Sequence, residues 1–228
     1  MPTWQRVGQF GALPSPASQK ASSCCCLFAR GTSFSFAQSP CIPNNTRRPD
    51  VPTLNTALAA LERHTGFPQS RSRGISRRLQ EDGLLPLGAP GIAPQIDAGG
   101  FIRLFVALAA DTTVHTAPDA ARTYLAMTPG GTPITADTPM SIGRAESELL
   151  ALVETALADP YDMRHLNIEV VGNWPELAVH WADGSVHRYQ PVGSLAGHWG
   201  AATHRRAITV TGVAFRDAVR ATFKGSTR

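Results

Sequence analysis

Apolar side chains first fall into a regular pattern at Leu54. Leu54, Ala57, Leu58 and Leu61 share one face at helical spacing, and the run stops near Gly66. Pro68 can sit in the first turn of a second helix that runs to about Asp82, with Gly83 as its stop. The segment IDAGGFIRLFVALAA (96–110) predicts a third helix with Asp97 as N-cap, despite the cost of Gly99 and Gly100. A short helix over Pro118–Met127 follows, and TPGGTPITADTP (128–139) has linker composition. Ser141 can then cap a helix whose Leu149, Leu152, Val153, Ala156 and Leu157 form one stripe, ending at Asp159-Pro160.

Beyond residue 160 the period changes from helical to alternating. IEVV (168–171) reads as a strand. ELAVHW (176–181) and SVHRYQ (185–190) flank Asp183-Gly184, a hairpin signal. ITVT (208–211) is β-branched, and VAFRDAVRATF (213–223) places Phe215, Val219, Thr222 and Phe223 on one helix face. The expected fold class is therefore α+β. A helix-turn-helix-like unit spans 51–112, a linker with a short helix spans 113–140, and a helix plus antiparallel hairpin sheet with a closing helix spans 141–228.

Residues 1–50 are a different kind of sequence, rich in Ser, Pro, Gln and Cys and nearly free of acid. They predict a disordered or non-native N-terminal extension, because no helical or strand period is sustained in them. All four cysteines lie there, three of them adjacent, with no C-x-x-C spacing for zinc and no disulfide framework. The same segment accounts for the net charge of +4, since it holds five of the 21 basic groups and one of the 17 acidic ones. Residues 51–228 are formally neutral, so only local clustering of charge can point to nucleic acid. No run approaches the ~18 apolar residues of a membrane span, and the expected location is the cytoplasm.

Such a cluster exists. SRSRGISRRLQEDGLLP (70–86) carries four arginines in eight residues, and Arg63 to Gln80 contains five arginines and no carboxylate. At about 100° per residue Ile75 and Leu79 point inward. Arg73, Arg77 and Gln80 then fall on the opposite face, with Ser70 and Ser76 at its margins, while Arg71 and Arg78 flank the buried stripe. Arginine can hold guanine or phosphate and glutamine can hold adenine, so these seven residues are the candidate DNA contacts. The competing reading is a solvated helix face, since only two of the 21 basic residues are lysine and arginine is the default cation of this chain.

The order ALAALERHTG (57–66), SRSRGISRRLQEDG (70–83) and LLPLG (84–88) resembles bacterial helix-turn-helix and winged-helix DNA-binding domains. Beyond that generic pattern it looks like prophage-associated proteins of high-GC bacteria. The FPQ turn and Gly74 depart from it. What the resemblance implies is a DNA-binding protein of phage or prophage type, a transcriptional regulator or packaging accessory, with double-stranded DNA as partner. Homo-oligomerisation through the 149–157 stripe or FIRLFVALAA (101–110) would present one such helix per half-site. The alternative is a non-catalytic phage assembly or adaptor protein that binds protein partners through the C-terminal hairpin.

Other constellations point less clearly. With a two-residue turn at Asp183-Gly184, His180 and His187 become cross-strand neighbours, and His198 or His204 could complete a metal site. A three-residue turn over Ala182–Gly184 breaks that pair. We assign no metal and no cofactor, and His180 and His187 remain the candidate ligands. Trp174, Trp181, Tyr189 and Trp199 could stack single-stranded bases, but hairpin-packing aromatics explain them as well. His204-Arg205-Arg206 is a small basic cluster. No nucleophile elbow, P-loop, zinc-protease or dinucleotide motif is present, and Glu146 and Glu148 face different ways on their helix, so no enzymatic activity is expected.

Overall fold

A computed structural model describes residues 52–139, 142–158, 163–194 and 204–224. The N-terminal extension, Ser141, Asp159-Pro160, His198 and Trp199 lie outside these residues. The described part has six helices: α1 (Leu54–Thr65), α2 (Gln69–Glu81), α3 (Ala98–Ala109), α4 (Ala117–Ala126), α5 (Ala145–Leu157) and α6 (Gly212–Phe223). Its strands are β1 (Thr128–Pro129), β2 (Asn167–Val171), β3 (Glu176–His180), β4 (Val186–Gln190) and β5 (Ala207–Thr211). They form one antiparallel sheet in the order β1-β4-β3-β2-β5. The fold is α+β.

The helix ends follow local chemistry. Thr53 caps α1, its hydroxyl accepting from Thr56 N–H, and Gly66 closes the helix in the left-handed region at φ 78°. Asp97 caps α3, accepting from Gly100 N–H at 2.7 Å. A Cβ at Gly100 would meet Asp97, Ile96 and Leu85 at 3.0–3.2 Å, so the residue's small size lets the cap seat against Leu85. The two glycines cost α3 about 1 kcal/mol each. Burial outweighs them, because Phe101, Ile102, Leu104, Phe105 and Leu108 are all buried and each contributes about 1.5–3 kcal/mol.

Helix α3 is the hub of the core. Phe105 meets Phe215 of α6 at 5.1 Å and Phe67 at 6.4 Å, while Phe101 meets Phe215 and Phe223 at 6.1 and 5.8 Å, all edge-on. Helix α1 lies chiefly against α6, and α5 packs on both α3 and α6. One contiguous core therefore runs from Leu54 to Val219, and the described residues form a single compact unit. The N-terminal helical segment and the C-terminal sheet segment share that core.

Both apolar stripes expected to drive self-association are consumed in it. Leu149, Leu152, Val153 and Ala156 of α5 are buried, as are the apolar residues of α3 from Phe101 to Ala109. The chain satisfies these faces internally, which removes them as association surfaces.

Residues 128–139 begin as more than a linker. Thr128 and Pro129 pair with Gln190 and Tyr189, and Ala145 N–H bonds Met127 carbonyl, so this segment starts as the edge strand beside β4. Proline is tolerated there because an edge position needs no second ladder bond. The Gly/Pro loop after α2 contains no strand of a wing among the described residues. It is held by isolated bridges Ala89↔Ile92 and Thr53↔Gln95 and by Leu54 N–H to Pro94 carbonyl at 2.8 Å.

Candidate functional site

Helix α2 is anchored by Ser72, Ile75, Ser76 and Leu79, which are buried, and its opposite side is left outside the core. Ser70, Arg73 and Arg77, spaced i, i+3 and i+7, are exposed on that side. The Arg73 side chain has no hydrogen bond or ion pair among the described residues. Arg77 reaches Glu81 Oε1 at 3.4 Å with 83% of its side chain exposed, an i,i+4 bridge worth about 0.3–0.5 kcal/mol.

The remaining candidates on α2 are engaged. Ser76 is 4% exposed, with its hydroxyl bonded to Arg73 carbonyl, and belongs to the buried side rather than to a reading face. Arg71 turns to Asp111 at 3.0 Å and to Thr112 carbonyl at 2.7 Å, tying α2 to the end of α3. Arg78 pairs with the same Glu81 at 3.2 Å, and Gln80 donates to Pro86 carbonyl at 2.8 Å. Glu81 lies one residue past the acid-free run, so a window ending at Gln80 does not see the carboxylate that holds Arg77 and Arg78. Of the seven candidates, Ser70, Arg73 and Arg77 form the accessible stripe.

The hairpin separates the two histidines. Trp181 N–H donates to Ser185 carbonyl and Gly184 N–H to Trp181 carbonyl, making a three-residue turn with Gly184 at φ 84°. His180 stands opposite Val186, and His187 opposite Val179. The residues therefore point to opposite faces of the sheet and cannot share a metal. Among the described residues no group of three His, Cys, Asp or Glu side chains is placed to hold a metal ion.

On the face away from the helices, His180 Nε2 meets Glu169 at 3.0 Å. Arg205 bridges Glu169 at 3.0 Å and Glu176 at 3.2 Å. Glu176 is fully buried and also takes Arg188 at 2.7 Å and Gln190 at 3.2 Å. A carboxylate without water is stable only with such partners. Arg206 pairs with Asp111, so the two arginines of the 204–206 cluster brace the fold rather than stand free for phosphate. This network was hidden in sequence because its members come from four separate segments.

On the helix-facing side, His187 sits against α5. Its Nδ1 lies 3.2 Å from Glu148 Oε1 and 3.2 Å from Trp181 Nε1, with the two rings 5.6 Å apart. Tyr189 is 5% exposed, and burial, then the charge and hydrogen bond of Glu148, push its hydroxyl well above the usual phenol range. Trp181 packs against the core, so these two aromatics line the fold rather than form an open stacking platform. Glu148 and His187 were separable in sequence by 39 residues and carried no local signal of their meeting.

Comparison with family models, curated proteins and solved structures finds no match for this chain. Among the described residues no helix is long and apolar enough to cross a membrane.

Proposed function

We propose that this protein binds duplex DNA through α2, with Ser70, Arg73 and Arg77 as the contact stripe. The observation that carries the reading is that stripe: two exposed arginines one turn apart on the second of two helices joined by a short turn, with Ser72, Ile75, Ser76 and Leu79 fixing the helix from behind. The Arg73 side chain is unpaired among the described residues, and the Arg77–Glu81 bridge is weak enough to exchange for a phosphate, since a charge-assisted hydrogen bond is worth about 1.5–3 kcal/mol. The contacts are to backbone and base edges and involve no chemical step, in keeping with a regulator or packaging accessory of phage type rather than an enzyme.

The test is fluorescence anisotropy of a labelled duplex against the full-length chain over a series of salt concentrations. Arg73→Ala with Arg77→Ala removes two phosphate-competent cations and lowers the log–log salt slope by about 1.8 per protomer. Residues 1–50 are the same in both proteins, so their charge cancels from the comparison. An unchanged slope and affinity in the double variant rules α2 out as the contact.

A further inference from the structure

The N-terminal turn of α5 and strand β4 enclose a cleft of about 600 Å3, within the ordinary range of small-molecule sites. Pro129 and Ile142 line its apolar side, and Ile142 is 42% exposed. Its polar side holds Arg144, Ser147, Glu148 and His187.

The chemistry of His187 follows from its two Nδ1 partners. An indole N–H only donates, so Trp181 meets an Nδ1 without hydrogen, whereas Glu148 meets an Nδ1 that carries one. Trp181 suits the neutral tautomer with hydrogen on Nε2, whereas Glu148 takes an Nδ1–H that either the imidazolium or the other neutral tautomer supplies. Nε2 has no partner among the described residues, and an oxyanion in the cleft selects the forms that carry hydrogen there. Arg144 is exposed, lines the cleft, and its guanidinium has no partner among the described residues. The Glu148 carboxylate is engaged by the Tyr189 hydroxyl and by His187 Nδ1.

We propose that this cleft binds a small organic oxyanion, a carboxylate or phosphate monoester on an apolar body, with Arg144 and His187 Nε2 as its donors. Guanidinium and imidazole N–H groups bond such oxygens strongly, and the Pro129–Ile142 side accepts the apolar body. The α2 stripe takes no part, so either reading can fail alone.

Benzoate, phenyl phosphate and benzyl alcohol are titrated into the full chain, followed by calorimetry and by the His187 ring nitrogen resonances. At least one of the two anions saturates below about 10 mM and shifts Nε2, and the better of them identifies the headgroup. Benzyl alcohol binds at least about tenfold more weakly, and Arg144→Gln weakens the anion by at least about tenfold. Ile142→Asp, which places a carboxylate on the apolar side, abolishes saturation while circular dichroism is unchanged. The proposal is overturned if neither anion saturates, if the alcohol binds as tightly as the anions, or if Arg144→Gln leaves affinity unaltered.

Discussion

Trp181 and Ser185 face each other across a three-residue turn, the Trp181 N–H donating to the Ser185 carbonyl at 2.9 Å, and this pairing decides where both hairpin histidines go. It sends His180 to Glu169 on one face of the sheet and His187 to Glu148 on the other. The turn has its own internal support, since Asp183 Oδ1 accepts from the Ser185 hydroxyl at 2.6 Å and from its N–H at 2.9 Å.

Those two bonds hold the Asp183 carboxyl below its ordinary value of 3.8, first through the Ser185 hydroxyl and then through the Ser185 N–H. A depressed folded-state pKa favours the native state above the unfolded pKa. The contribution is present above pH 3.8 and is lost as pH falls through the lower folded value. An NMR titration of Asp183 is expected to show a midpoint below 3.8 that moves up toward it in Ser185→Ala.

Tyr124 gives the opposite limb of the pH profile. Its hydroxyl donates to Val171 carbonyl from α4 to β2, and burial raises its pKa from 10.0 to about 12. The unfolded chain loses this proton first, so stability is full below pH 10 and falls as pH rises toward 12. Ultraviolet titration follows the phenolate directly. Tyr124→Phe costs about 1 kcal/mol at neutral pH by urea denaturation, because Val171 carbonyl loses its donor.

Two glycine-to-alanine changes have opposite signs. A Cβ at Gly74 in α2 meets only Val114 methyls at 3.8 and 4.0 Å, ordinary contact, so Gly74→Ala stabilises by about 0.5–1 kcal/mol. At Gly212 the Cβ would collide with Met163 carbonyl and lie 2.9 Å from Leu166, where backbone must move. Gly212→Ala is expected to destabilise by about 3 kcal/mol. Urea midpoints of the two variants measure both.

Arg205 ties Glu169 to the fully buried Glu176, and its removal leaves both carboxylates under-paired. Arg205→Ala is expected to cost about 2–3 kcal/mol. In a Glu176→Gln background the cost falls, since the buried charge is gone. A double-mutant cycle that returned additive effects would show that Glu176 and Arg205 do not interact.

Arg71→Ala and the Arg73→Ala, Arg77→Ala pair separate bracing from surface charge on α2. The first removes the Asp111 bridge and the Thr112 bond and lowers stability by about 1–2 kcal/mol. The second removes exposed cations and changes stability by less than about 0.5 kcal/mol. Thermal denaturation distinguishes them.

The sequence by itself determined the α+β class and where the helices and principal strands lie. Those features are written in neighbouring residues: Thr53 and Asp97 as caps, Gly66 as a left-handed stop, and alternation through Ile168–Val171 and Glu176–His180. It also marked α2 as the cationic helix and Ile75 and Leu79 as its anchors. The tertiary structure alone decided which arginines stay free, because Asp111 and Thr112 for Arg71 lie about 40 residues away and Pro86 for Gln80 lies in a loop. It likewise decided that β1 joins the sheet, that the α3 and α5 stripes are buried within one core, and that Glu148 meets His187. The hairpin is the sharpest case. Asp183-Gly184 fits a two- or a three-residue turn equally well. One step of register, set by the pairing of β3 and β4, moves a histidine from one face of the sheet to the other.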